Sequence, residues 1–105
     1  MGLIAELASS VGISIRQCGQ MELIAASDLV QILEAARKHN ARVLGLEGFH
    51  IVGNSIVPDM DAIADFSSMI DSTTNVETVD QALHFLSNVK EADLFYEVTF
   101  REEPT

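Results

Sequence analysis

Apolar residues at the start of the chain recur at helical spacing. Leu3, Ile4, Leu7, Ala8 and Val11 form one stripe and Gly12 follows as a stop, which predicts a short opening helix. No period holds from Ile13 to Ala26. Ile13 and Ile15 alternate with Ser14 and Arg16 as in a short strand, but the segment reads mostly as a connection. The clearest helix comes next. Ser27 reads as its N-cap and Asp28 suits its first turn, and Leu29, Ile32, Leu33 and Ala36 make the apolar stripe. Arg37, Lys38 and His39 fall in the last turn, where cations complement the carbonyl end, and Asn40 is a fitting terminator.

Arg42 to Val52 is too apolar and too rich in Gly for a helix. Gly53-Asn54 and a second apolar run, Ser55 to Val57, complete a hairpin pattern. Apolar residues occupy both parities of the first strand, as expected of a central strand covered on both faces for part of its length. Gly45 and Gly48 interrupt it and predict a bulge or a close backbone approach. Pro58 is expected to end the hairpin, with Asp59 capping a short helix that turns Ile63, Phe66 and Ile70 inward. After the polar run Asp71 to Glu77, Thr78 and Gln81 have capping-box spacing, and Val79, Ala82, Leu83, Leu86 and Val89 supply a helical stripe flanked by Phe85. In the last run, Asp93 to Arg101, Leu94, Tyr96, Val98 and Phe100 alternate with Phe95, Glu97, Thr99 and Arg101, the pattern of a strand covered on one face.

These elements predict an α+β fold in one domain, 1–105. A small, mostly antiparallel sheet, made of a hairpin at about 42–57 and a C-terminal strand at about 93–101, packs against three or four helices. The 105-residue length suits a single core, and 48% hydrophobic with 21% charged residues is ordinary for a globular chain. Cys18 is the only cysteine, so no internal disulfide is available and a reducing compartment is expected. There is neither a long apolar run nor a basic leader with a cleavage site, and the expected location is the cytoplasm, away from membranes.

Charge changes the picture most. Six basic residues stand against sixteen acidic ones, for a formal net charge of -10. Residues 1–52 carry four basic and five acidic side chains, whereas residues 53–105 carry two and eleven. A field of that sign repels nucleic-acid phosphates and speeds encounter with a basic protein, although acidity also serves plain solubility.

Candidate chemistry is sparse. Asp59, Asp61 and Asp65 are spaced closely enough to suggest a hard cation, but a calcium loop needs an oxygen ligand and then Gly where this run has Ile63 and Ala64. Caps and first-turn charges account for Asp59 and Asp61 on the predicted helix. Glu47 and His50, three apart on a strand, point to opposite faces and cannot act as a local acid/base pair. A Glu in so apolar a strand must be neutralised, solvated at a gap made by Gly, or paired with a cation. His39, His50 and His84 match no local zinc spacing. Cys18 has no nearby His, Ser55 lacks the closing Gly of GxSxG, and Gly45, Gly48 and Gly53 do not form a phosphate loop. Six scattered basic residues do not make a nucleic-acid patch. No catalytic residue, cofactor or metal site is assigned.

The helix Asp28 to His39, the strand VLGLEGF (Val43 to Phe49), the acidic PDMDAIADFSS (Pro58 to Ser68), the helix around Gln81 to Asn88 and the closing LFYEV (Leu94 to Val98) together resemble small immunity proteins of bacterial polymorphic-toxin and contact-dependent growth inhibition systems. The resemblance covers roughly residues 25–100. It implies a non-enzymatic protein that binds and neutralises a cognate toxin domain, often a basic nuclease. Charge density selects Asp59, Asp61, Asp65, Asp71, Glu77, Glu91, Asp93 and Glu97 as the expected partner-binding residues. Two other readings stand beside it. One is a structural or adaptor subunit, a homodimer through an exposed strand edge, whose acidity serves solubility. The other is a metal-dependent hydrolase using Glu47 or the Asp cluster.

Overall fold

The computed structural model describes residues 3–66, 75–89 and 93–102. Along the chain run helix α1 (Leu3–Val11), strands β1 (Arg16–Cys18) and β2 (Met21–Ala25), helix α2 (Ala26–Lys38), strands β3 (Ala41–Val52) and β4 (Ser55–Asp65), helix α3 (Asn75–Asn88) and strand β5 (Phe95–Glu102). The five strands form one antiparallel sheet in the order β1-β2-β5-β3-β4. The α+β class, the central hairpin and the closing strand are as expected, and three helices lie among the described residues. Two strands were not foreseen. The segment read as a connection is the β1–β2 hairpin, turning at Gly19 with φ 61°. Both strands are too short to show a period, and β2 is held through Ile24 and Ala25 by β5, about seventy residues away in sequence.

Helix α2 is the centre of the core. Leu29, Ile32, Leu33 and Ala36 are fully buried at the spacing of one helix face, and each large side chain of this kind contributes about 1.5–3 kcal/mol. The helix begins before Ser27: β2 leads directly into the first turn, and the N-cap is Ala25, whose methyl side chain has no acceptor for a capping bond. Ala26 N–H is bonded instead to the Leu94 carbonyl, which ties the helix start to β5. At the other end Asn40, at φ 56°, adopts the left-handed conformation that turns the chain into β3. Arg37 joins α2 to α3 through Asp80 at 2.6 Å, with Glu34 at 3.4 Å, and the Asp80 carboxylate raises the guanidinium pKa further.

Helix α3 starts at Asn75, so Thr78 lies inside the helix and does not cap it. Its side chain is buried, and Oγ1 accepts the Val43 N–H at 3.3 Å, which pins α3 to the central strand. The short helix expected after Pro58 is absent, because β4 continues to Asp65. Pro58 is tolerated because β4 is an edge strand. Phe66 is buried as expected, Ile63 is 39% exposed on the outside, and Ile70 lies outside the described residues.

Register assigns the faces, because directly opposed residues share one. Val43 with Phe100, Leu46 with Val98, and Gly48 with Tyr96 face the helices, whereas Glu47 with Glu97 and Ile63, and Gly45 with Thr99 and Asp65, face away. Both interrupting glycines fall at register shifts. Between Val43 and Gly45 the shift is against β5, and the Leu44 carbonyl left there accepts the Phe66 N–H at 2.8 Å. Against β4 the pairing jumps from Glu47–Ile63 to Phe49–Pro58, so Asp59 to Ala62 bulge over Gly48.

A Cβ on Gly48 would lie 2.8 Å from the Ala62 Cβ and 3.2 Å from both Leu94 Cδ1 and Tyr96 Cε2. Gly48→Ala is therefore expected to destabilise the fold by about 1–3 kcal/mol, measured as a lower denaturant midpoint at unchanged slope. Wild-type stability in this variant would show that the close approach does not exist. Tyr96 beside it is buried, and burial, followed by the charge of Asp59, pushes its phenol above the ordinary 10.0. The folded chain thus keeps this proton to higher pH than the unfolded chain does. Stability from Tyr96 is complete below about pH 10 and falls as pH rises towards the folded-state value. Tyr96 is the only tyrosine and there is no tryptophan, so phenolate absorbance reports this group alone. It should appear at higher pH in the folded chain than in the unfolded chain, and Tyr96→Phe should flatten the loss of stability above pH 10.

Candidate functional site

The acidic residues selected from the sequence do not form one surface among the described residues. Asp59 is half-buried in the β4 bulge: Oδ2 lies 2.9 Å from His50 Nε2, and Oδ1 accepts the Asp61 N–H at 2.9 Å. It locks the bulge rather than capping a helix, because the strand continues through it. Asp61 lines a separate cleft of about 460 Å³ between β4 and α3, with Phe66, Gln81, His84, Phe85 and Asn88. Glu77 is exposed at the start of α3, and Asp93 is exposed just before β5. Asp71 and Glu91 lie outside the described residues. Among the described residues no three His, Cys, Asp or Glu side chains gather as a metal site.

The His50–Asp59 contact was not anticipated, although the turn carried the signal. A two-residue loop at Gly53-Asn54 sets Val52 opposite Ser55 and His50 opposite Val57, so Asp59 is the diagonal neighbour of His50. A His–Asp pair can serve as an oriented base if a nucleophile is within reach. The residues considered as nucleophiles are placed elsewhere. Ser55 opposes Val52 beside the turn, and Cys18 is in β1 at the far edge of the sheet. What the pair does here is hold the bulge against the end of β3.

Asp65 and Glu97 do come together, with Glu47, on the face of the sheet away from the helices. They border a depression of about 370 Å³ over Leu44, Gly45 and Leu46, closed at the sides by Ile63 and Thr99. The depression exists because β3 bulges at Gly45, which has no side chain to fill it. Glu47 and Glu97 are direct cross-strand partners, and both are half-buried. At such positions Cα atoms are about 4.5–5.5 Å apart and like charges repel. A second depression, of about 320 Å³, lies on the other side of β5 and shares Glu97 and Thr99, with Glu22, Gln20, Leu3 and Ile4 around it. It opens because β2 pairs with β5 only at Ile24 and Ala25 and then diverges.

No family model matches the chain, and neither the curated proteins nor the solved structures hold a match to it. Function must therefore be argued from these residues. The described helices include none long and apolar enough to cross a membrane. The face away from the described helices carries mixed charge: Glu47 and Glu97 are in register with Asp65 on the rim and apolar Ile63 alongside, and Arg42 and Arg101 are paired further along the same two strands.

The like-charge pair has a consequence for the isolated protein. Replacing one member, as in Glu97→Gln, should stabilise the fold by about 0.2–1 kcal/mol, a rise in melting temperature of roughly 1–4 °C. The gain should shrink in concentrated salt, where the repulsion is screened. A lower melting temperature in Glu97→Gln would show that the carboxylate has a favourable partner in the free protein.

Proposed function

We propose that this protein is a non-enzymatic inhibitor that binds and neutralises a cognate bacterial toxin domain, a basic nuclease, in the cytoplasm. The observation that carries the reading is the concentration of acidic side chains in residues 53–105, eleven against two basic ones, with several displayed on the outer sheet face, the edge strand and the start of α3. Acidic surface of this kind repels nucleic acid and draws in a protein that has evolved to bind it. The likeness of VLGLEGF, PDMDAIADFSS and LFYEV to immunity proteins supports the same reading. No role for a cofactor or metal enters it.

A second reading, a homodimeric adaptor, draws on the edge strand, where Val57, Met60 and Ile63 are exposed. Antiparallel pairing of two β4 strands would set Asp59, Asp61 and Asp65 of one copy near those of the other. That repulsion, together with Pro58 and the bulge, protects the edge from self-association. The inhibitor reading is therefore preferred.

On this reading the neighbouring gene encodes a secreted protein with a toxic C-terminal domain, and the test is co-expression of that domain with this chain. The wild-type protein should restore growth, and the purified pair should associate about tenfold or more slower at physiological than at low salt. Growth arrest despite expression of the folded protein would dismiss the inhibitor reading, and a salt-indifferent association rate would dismiss electrostatic steering. A concentration-independent dimer that protects against no neighbouring toxin would favour the adaptor.

A further inference from the structure

Strand β5 is paired along its whole length on one side only. Towards β3 its partners run from Phe95 to Glu102, whereas towards β2 the register ends at Ile24–Tyr96 and Ala25–Phe95. The Ala26 N–H bonds to the Leu94 carbonyl, and in an antiparallel ladder every second residue turns its N–H and C=O to the same side. Tyr96, Val98 and Phe100 therefore aim both groups towards β2, while Glu97 and Thr99 aim theirs towards β3. For Val98 and Phe100 no strand is there to meet them. Among the described residues no other backbone group bonds to them either. Beside them lies the depression of about 320 Å³, bordered by Gln20 and Glu22 of β2, by Glu97 and Thr99, and on the helix side by Leu3 and Ile4 of α1.

We infer that this gap is a strand-addition site: an extended segment of a protein partner enters it antiparallel to β5, in the place that β2 leaves, and bonds to the N–H and C=O groups of Val98 and Phe100. Donors and acceptors repeated at the two-residue spacing of a strand are complementary to another extended backbone. The side chains around the gap set the sequence that the segment carries. Its residues opposite Val98 and Phe100 share their face, towards Leu3 and Ile4, and suit apolar side chains. Its residue opposite Glu97 is on the other face. The charged residues that line the depression, Glu22 and Glu97, are both acidic, so a lysine or arginine suits that position. A second folded copy does not supply the segment. Its β4 edge carries Pro58 and a bulge, its β1 is three residues long, and its own β5 stands behind the same hairpin and helix. The site requires an extended partner segment but not a toxin, so it goes beyond the inhibitor reading and does not depend on it.

Amide hydrogen exchange in the purified full chain, labelled with nitrogen-15, tests the free edge, and a peptide tests its use. The Val98 and Phe100 amides should exchange about tenfold or more faster than those of Glu97 and Thr99, which bond towards β3. The peptide is acetyl-Thr-Val-Thr-Val-Lys-amide, which sets its valines opposite Phe100 and Val98 and its lysine opposite Glu97. One control carries N-methyl groups on both valines and keeps every side chain; a second has glutamate in place of lysine. The parent peptide should give saturable shifts centred on Val98 and Phe100 and slow the exchange of both amides. The methylated peptide should bind about tenfold or more weaker, and the glutamate peptide about threefold or more weaker. Slow exchange at Val98 and Phe100 in the free chain, equal to that at Glu97 and Thr99, would show that the edge is already paired and would overturn the inference. So would the absence of a saturable shift, shifts centred on Val57 and Met60 of the β4 edge, or binding unaltered by methylation or by the glutamate. Protection of Val98 and Phe100 that grows with protein concentration would also overturn it, by making a second copy the occupant.

Discussion

The structure depends on the close approach of backbone and side chains around Gly48. There β3 runs directly against Ala62 of β4 and against Leu94 and Tyr96 at the start of β5. Because no side chain occupies that point, the only tyrosine can be buried beneath the sheet and β4 can carry four residues over a single position of β3. The bulge so formed is fixed by Asp59, which binds His50 with one oxygen and the Asp61 amide with the other. One missing Cβ thus sets the path of the edge strand, and that path decides which carboxylates face the helices and which face away.

The distribution of apolar side chains follows from the same geometry. Helix α2 and the inward residues of β3 and β5 make the main core, with α1 and α3 on either side. Leu23 and Phe49 are also buried but do not belong to that cluster, and their register places them with Phe95 on the opposite face, where Arg16 stands 5.4 Å over the Phe95 ring. The outer face is therefore divided. Near the β1–β2 hairpin it is apolar, and beyond Phe49 it becomes charged, with Glu47, Glu97 and Asp65 followed by the Arg42–Arg101 pair.

Of the eight acidic residues selected from the sequence, Asp59 has an unanticipated partner within the fold on each carboxylate oxygen. The reason lies in the reading of PDMDAIAD as a capped helix. Proline followed by aspartate has the signature of a helix start, and at an edge strand the same residues serve as a bulge and its lock. Glu47 went the other way. It could be flagged as an unusual charge in an apolar strand, but its nearest like charge is fifty residues away in sequence and is brought opposite only by β3–β5 pairing.

Local pattern determined the three described helices, the central hairpin and the closing strand, because each depends on periodicity or turn chemistry within a dozen or so residues, while the helix expected after Pro58 is a strand. The spacing of Leu29, Ile32, Leu33 and Ala36 forms a helix face wherever that segment is placed, and Gly53-Asn54 turns the chain whatever packs around it. The negative charge and its concentration after Gly53 are likewise properties of the sequence alone. Only the tertiary structure decided that β2 joins β5, that β4 outlasts Pro58, that Thr78 is buried against Val43, and that Glu47 stands beside Glu97. These are pairings between distant segments, fixed by burial and register in three dimensions, and no local period encodes them.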